Sequence, residues 1–412
     1  MSFEYSNGSL HCEQVDLQEI AAQAGTPAYV YSAAAILQRY REYDQAFGEH
    51  PHIVCYAVKA NSNLAILRLL ARAGGGFDIV SGGELYRVLK ADGDPSKVVF
   101  SGVGKTREEI EYAIASGIFS FNSESESELA LISAAAVKLG AKARVALRVN
   151  PDVDASTHKY ISTGLREHKF GVDIALAEAI YLRAAALPGL TVDNVSCHIG
   201  SQILNTSSLL EAIDRVLALV ERLRAAGLAI THVDLGGGLG IPYEPGDKSP
   251  SIRDYVGAIV SKTAGRGLHV AVEPGRSIVA EAGALLSRVL LEKTNGDKDF
   301  VIADAAMNDL IRPALYQAHH EIQAVRQPST RQVRLVDIVG PVCESGDFLA
   351  KDRLMPVLAP GDLLAIRNAG AYGFAMASNY NSRPRVAEVL VEGASWRIVR
   401  ERETLEDLVR GE

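Results

Sequence analysis

Between about residue 50 and residue 275 the chain alternates short β-branched or aromatic runs with longer amphipathic stretches. The strand-like runs are 53–58 (IVCYAV), 76–81 (GFDIVS), 98–102 (VVFSG), 119–123 (FSFNS), 144–150 (RVALRVN), 192–200 (VDNVSCHIG), 230–237 (ITHVDLGG) and 269–275 (HVAVEPG). The segments between them place apolar residues at i, i+3 and i+4. In 207–227, Leu210, Ile213, Val216, Leu217 and Val220 fall on one stripe, and Gly227 suits the helix stop. Eight such units predict a (β/α)8 barrel of the α/β class rather than an open doubly wound sheet. After residue 276 the texture changes to ALLSRVLLEKT, DFVIADA, RQVRLVDIVG, DLLAIRNAG and RVAEVLVEG, separated by Gly, Pro and Asp turns. This predicts a second, mostly β domain that PAYVYS (27–32) joins from the N-terminal end. The expected division is a barrel over 34–276 and a β-rich domain built from 1–33 plus 277–412.

Composition narrows the function classes. The 412 residues are 48% apolar and 22% charged, enough for a sizeable core, and the net charge of −8 argues against nucleic-acid or anionic-membrane partners. No apolar run approaches the length of a membrane span, and MSFEYSNGSL lacks the basic start and apolar stretch of a signal peptide. A soluble cytoplasmic protein is the expectation. Cys12, Cys55, Cys197 and Cys343 are widely spaced, with no CxxC pair and no disulfide framework. No HxH or HExxH stands at a strand end, so no metal site is expected.

In a barrel of this kind chemistry collects at the C-terminal strand ends. There the chain places Lys59, Asp78 with Ser81, Arg148 with Asn150, His198, Gly236–Gly238, and Glu273 through Arg276. Alternation puts Lys59 on the face of Cys55 and Ala57, taken as inward, where desolvation lowers an amine's pKa toward Schiff-base chemistry. A strand-end lysine snorkelling to water has the same spacing. The glycines could admit a phosphate close to backbone N–H groups, or simply make a turn. Glu273 could keep a pyridine nitrogen protonated, or pair with Arg276. His198 on spacing alone is as readily structural as catalytic, and Cys343 reads as a small buried hydrophobe.

YAVKAN (56–61), THKYISTGLREHKFG (157–171), HIGSQ (198–202), GGGLGI (236–241), EPGR (273–276), MNDLIRPALY (307–316), CESGD (343–347) and AYG…SNYNSRP (371–384) closely resemble the diaminopimelate decarboxylases, over essentially the whole chain. These are pyridoxal 5′-phosphate (PLP) enzymes of the alanine-racemase-like fold. The resemblance implies loss of the carboxylate at the D-centre of meso-2,6-diaminopimelate to give L-lysine and carbon dioxide, the last step of lysine biosynthesis. It implies a cofactor Schiff base on Lys59 and His198 stacked on the ring with Ser201 nearby. Asp78 and Arg148 would stand on the cofactor side, and Gly237, Gly238, Gly275 and the EPGR backbone around the phosphate. Glu273 would sit on the pyridinium nitrogen. Arg276, Arg312 and Tyr316 would hold the distal carboxylate and Glu344 the distal ammonium, with Tyr372 on phosphate or substrate. Cys343 would deliver a proton from the partner subunit of a homodimer with shared sites.

Decarboxylases of ornithine, arginine or carboxynorspermidine share the fold, but a substrate without a distal carboxylate has no use for Arg312 beside Tyr316. Alanine racemase carries an arginine where Glu273 stands. A non-catalytic PLP-binding relative would have lost Lys59 or Cys343. The 151–170 segment, with His158, His168 and possible hinges at Gly164 and Gly171, is long enough to close over the site.

Overall fold

The computed structural model describes residues 2–153, 169–198, 200–244, 246–327 and 332–412. They form two compact units: Arg39–Ile241 with Lys248–Ser277, and Met1–Gln38 with Pro242–Asp247 and Ile278–Glu412.

The first unit is a closed parallel barrel. Its strands are β1 (His52–Ala57), β2 (Gly76–Ile79), β3 (Val98–Phe100), β4 (Ser120–Ser123), β5 (Ala143–Asn150), β6 (Leu190–Cys197), β7 (His232–Asp234) and β8 (His269–Val272). Each pairs with the next in parallel, and β8 closes on β1 with Val272 beside Val54. All eight runs singled out above are strands, because barrel strands are covered on both faces and read as near-continuous apolar runs. The 207–227 stripe is the helix Ser207–Ala225, and Gly227 follows it at φ 92°. Six of the helices that follow strands are capped by Asn63, Ser81, Thr106, Ser125, Asp173 and Ser251, each accepting a backbone N–H. Such a cap is worth about 1 kcal/mol, and it fixes where the chain leaves the strand end and turns into helix.

One irregularity is plugged by a side chain. β6 slips register against β5 between Val192 and Asn194. The buried Tyr181 hydroxyl fills the gap: it accepts from Leu147 N–H at 3.0 Å and lies 2.9 Å from the Asn194 carbonyl, to which it donates. Both backbone groups would otherwise be buried without partners.

The second unit is mostly β. Its main sheet runs in the order Phe348–Pro356, Val333–Val339, Lys298–Ala303, Gly283–Asn295, Ala28–Ser32, Ala387–Glu392, Ser395–Arg400. All five residues of Ala28–Ser32 are buried; the strand runs antiparallel to Gly283–Asn295 and parallel to Ala387–Glu392. The N-terminal strands Phe3–Ser6, Ser9–Cys12 and Val15–Asp16 and the helix Leu17–Ala24 pack their apolar faces on Val30, Leu286 and Val389 of this sheet. Among the described residues no helix is long and apolar enough to cross a membrane.

Near the C-terminus of this unit, Glu403 accepts from Arg385 Nε at 2.7 Å, Arg385 N–H at 2.8 Å and Asn379 Nδ2 at 2.6 Å. Burial alone would raise its pKa, but these donors outweigh it and hold the carboxyl at about 2. A depressed folded pKa stabilises at pH above the unfolded value, roughly 4.3, and the contribution fades as pH falls toward 2. Glu403→Gln is therefore expected to cost about 1 to 2 kcal/mol at pH 7, discounted for solvent screening, and almost nothing near pH 2. Urea midpoints at the two pH values check it; an equal cost at both would remove the ionic explanation.

Candidate active site

The mouth of the barrel is built by turns that leave the strands earlier than the sequence pattern suggests. β1 stops at Ala57, and Val58–Ala60 form a single 3₁₀ turn, so strand alternation does not extend to Lys59. The turn is locked by its own residues: Tyr56 donates to the Asn61 carbonyl at 3.0 Å, and Asn61 Oδ1 accepts from Asn63 N–H at 3.1 Å. Lys59 Nζ lies 2.6 Å from Asp78 Oδ2 on β2. The lysine side chain is 38% exposed and the aspartate fully buried. The expected desolvated interior lysine is thus replaced by an ion-paired amine at the mouth. Among the described residues Asp78 Oδ1 is buried with no hydrogen-bond partner, an open acceptor beside the amine.

β7 ends at Asp234 and β8 at Val272, short of the glycines and of Pro274. At Gly236 (φ 67°) a Cβ would stand 2.4 Å from His198 Nδ1, at Gly237 2.1 Å from the Glu273 carbonyl oxygen, and at Gly238 (φ 110°) 2.5 Å from the Gly200 oxygen. No side chain fits, and the backbone of three successive residues lines the mouth. Gly237 N–H donates to His198 Nδ1 at 3.1 Å. That nitrogen is therefore unprotonated and the imidazole neutral; burial first, then Arg148 and Lys59, push its pKa well below the ordinary histidine value. Gly275 packs on Ala57 and Ala60, and Arg276, first residue of the short helix Arg276–Val279, donates to Ser201 Oγ at 3.1 Å.

Glu273 is buried and accepts from Ser101 Oγ at 3.2 Å and Asn122 Nδ2 at 3.1 Å. Burial, then the nearby Asp234 and Asp78 carboxylates, drive its pKa well above the ordinary carboxyl range. Asp234, Asn122 and Ser101 were not singled out from the sequence. They are ordinary polar residues in strands until the register of the closed barrel brings them behind Glu273.

Arg148 does not point a free fork into the mouth. Its Nη1 donates to Glu124 Oε1 at 3.0 Å, its Nη2 to the His198 carbonyl at 3.4 Å, and its guanidinium covers the Phe170 ring at 4.8 Å. Glu124 Oε2 also accepts Gly171 N–H at 2.6 Å. Most of the 151–170 segment expected to act as a lid, including His158, His168 and Gly164, lies outside the described residues.

The β-rich unit carries the other five candidates. Arg312, 5% exposed, opens the helix Arg312–Tyr316 with its guanidinium 4.8 Å over the ring of Tyr243. Tyr243 in turn meets His320 edge-on, ring centroids 5.5 Å apart. This brace was missed, because Tyr243 lies far from Arg312 in sequence. Cys343 is exposed while the other three cysteines are buried, which removes the reading of it as a core hydrophobe. Its loop is pinned by Asp347, which accepts from Met307 N–H and Val342 N–H, both at 2.7 Å, leaving Cys343 and Glu344 outward. Tyr372 adopts a left-handed backbone (φ 55°) between Gly370 and Gly373, where a Cβ would collide with the Val279 and Ala369 oxygens. Such strain in a non-glycine residue is retained where surrounding contacts over-determine it.

The barrel mouth thus offers an amine able to condense with an aldehyde, a neutral imidazole, a buried carboxyl whose pKa is raised and a glycine-lined backbone cradle. That donor set fits pyridoxal phosphate: the amine for its aldehyde, the carboxyl for its ring nitrogen, backbone N–H groups for its phosphate.

Comparison with known proteins agrees. Residues 33–280 match the family model "Pyridoxal-dependent decarboxylase, pyridoxal binding domain". A diaminopimelate decarboxylase of Pseudomonas aeruginosa is 57% identical over 100% of this chain and 98% of its own. The crystal structure of diaminopimelate decarboxylase from Helicobacter pylori complexed with L-lysine superposes with TM-score 0.92 at 45% identity, covering 96% of this chain and 98% of that one. The M. jannaschii enzyme in co-complex with L-lysine gives TM-score 0.94 at 41% identity, over 99% and 97% of the two chains. The chain therefore belongs to the pyridoxal-dependent decarboxylases and, within them, to the diaminopimelate decarboxylase family.

Proposed function

We propose that this chain decarboxylates meso-2,6-diaminopimelate at its D-centre, releasing carbon dioxide and leaving L-lysine, with pyridoxal 5′-phosphate held on Lys59. The observation that carries the reading is the group of side chains at the barrel mouth, Lys59 against Asp78 with the buried Glu273 carboxyl held by Ser101 and Asn122. Bound there, the cofactor supplies an electron sink for the pair left behind when the carboxylate departs.

The chain's residues do the rest. Lys59 anchors the cofactor, and Asp78 orients the amine. His198, kept neutral by Gly237 N–H, would lie against the ring without adding charge, and Arg148 and Ser201 would steady its surroundings. Gly237, Gly238 and Gly275 let backbone reach the phosphate, and Glu273 keeps a proton at the ring nitrogen. Arg312 with Tyr316 holds the distal carboxylate, a planar anion that a guanidinium matches bidentately. Glu344 takes the distal ammonium, and Tyr372 contacts phosphate or substrate. In the homodimer we assign, the partner subunit's Cys343 gives its thiol proton to the carbon that has lost carbon dioxide. We place the functional division at 34–276 for cofactor and at 1–33 with 277–412 for substrate and proton delivery. All four cysteines are free thiols, which suits the reducing cytoplasm.

The test is carbon dioxide and lysine release from meso-diaminopimelate by PLP-loaded protein. Arg312→Ala is expected to lower kcat/KM by roughly 100-fold or more, about 3 kcal/mol, since a desolvated carboxylate loses its charged partner. A change of only a few-fold would remove Arg312 as the carboxylate clamp. Turnover of ornithine but not of diaminopimelate would overturn the substrate.

A further inference from the structure

Behind Glu273 stands a second carboxyl that the reaction as described does not use. Asp234, at the end of β7, is fully buried. Its Oδ1 accepts Gly236 N–H at 2.9 Å and its Oδ2 accepts Asn122 Nδ2 at 2.8 Å. The same Asn122 nitrogen reaches Glu273 Oε1 at 3.1 Å and Ser101 Oγ at 3.2 Å. One amide on β4 therefore ties together the ends of β3, β7 and β8.

The donors are distributed unequally. Asp234 receives one N–H on each oxygen, the pattern that suits an anion. Ser101 and Asn122 both donate to Glu273 Oε1, and the Glu273 carboxyl is itself hydrogen-bonded to Asp234. Lys59, which follows the strand next to that of Glu273, is paired with Asp78 at 2.6 Å. Two adjacent buried carboxyls cannot both ionise without a cation between them, so the pair holds one proton and Glu273 carries it. The pKa directions agree: burial raises both, hydrogen bonds from Asn122 and Gly236 pull Asp234 back, and Asp234 pushes Glu273 further up.

We infer that Asp234, fixed as an anion by Asn122 and Gly236, is a positioning residue that makes the Glu273 site protonate a pyridine nitrogen. This rests on the cofactor reading above and deepens it. With the cofactor bound, Glu273 would give its proton to the ring nitrogen, its O–H bond breaking as an N–H bond forms, and would be left anionic. Two fixed negative charges then face one positive ring, and both hold the proton on nitrogen. Glu273 alone would supply only one of them.

The test uses apoprotein reconstituted with pyridoxal phosphate labelled with nitrogen-15 in the ring, read by NMR across a pH titration, with no turnover needed. In the wild type the nitrogen is expected to stay protonated throughout the neutral and mildly alkaline range. In Asp234→Asn its apparent pKa is expected to fall by about one unit or more, because an opposite charge has been removed. The substitution is nearly isosteric, and the unpartnered Asn122 Oδ1 can turn to accept from the new amide. Asn122→Ala is the second variant, for the case in which Asp234→Asn does not fold; it strips a donor from Asp234 and shifts the nitrogen the same way, by less. Glu273→Gln should lose the protonated signal altogether. A wild-type pKa in whichever of Asp234→Asn and Asn122→Ala folds would overturn the role of Asp234. Failure of the wild type to bind the labelled cofactor at all would instead overturn the cofactor reading itself.

Discussion

Lys59→Ala protein mixed with excess pyridoxal phosphate is expected to remain colourless after dialysis and to turn over meso-diaminopimelate at least about 1,000-fold more slowly than the wild type, some 4 kcal/mol of transition-state stabilisation. The effect is large because the amine is both anchor and leaving group, and Asp78 holds it 2.6 Å away in the orientation both tasks need. Borohydride treatment of yellow wild type should fix the label on the peptide containing Lys59. Lys105 provides an internal control. Its side chain is 1% exposed, and its ammonium bonds to Glu128 at 2.7 Å and to the carbonyls of Gly102 and Asn122. A lysine so committed has no lone pair to offer. Label on Lys105, or a coloured Lys59→Ala protein, would overturn the assignment.

Mixing two inactive variants should restore activity. If each site takes Lys59 from one subunit and Cys343 from its partner, a hybrid of Lys59→Ala and Cys343→Ala chains has one site with both defects and one with none. Random reassortment of equal amounts makes about half the dimers hybrid, so about a quarter of wild-type activity should return after unfolding, mixing and refolding. The exposed, pinned loop that turns Cys343 outward is what such sharing needs. Were both residues supplied by one chain, every site in every mixture would carry one defect, and activity would stay at the level of the separate parents.

Of the two large effects, that on Lys59 falls on a residue that stands out in the chain itself, whereas Cys343 gains its role only from the resemblance, and the subtler effect falls on residues that neither points to. Lys59, His198 and Glu273 end apolar runs, where an ionisable side chain stands out. Asn122 and Asp234 do not stand out, because FSFNS and HVDL are plausible strands whichever face their polar residues take. Only the register of the closed barrel puts Asn122 within reach of residues 112 and 151 positions away. Tyr243 was invisible for a related reason. It lies on a segment between barrel elements, Pro242–Asp247, yet that segment belongs with the β-rich unit and braces Arg312 there. For Lys59 the route differs from the expectation at one peptide: a 3₁₀ turn, not strand alternation, carries its amine to the buried Asp78.

The place of Ala28–Ser32 in the β-rich sheet imposes an order on biosynthesis. This wholly buried strand emerges early, but its two neighbours are Gly283–Asn295 and Ala387–Glu392. From Ser32 to Gly283 the ribosome must add 251 residues (283 − 32), and to Ala387, 355 (387 − 32). At roughly 5 to 20 residues per second, the strand waits some 12 to 50 seconds for its first partner while the barrel between is made. Throughout that interval AYVYS is an unpaired edge of the kind that chaperones bind and aggregates recruit. Slowed translation between residues 33 and 283 should therefore lower the soluble yield of a chain whose finished form is unchanged.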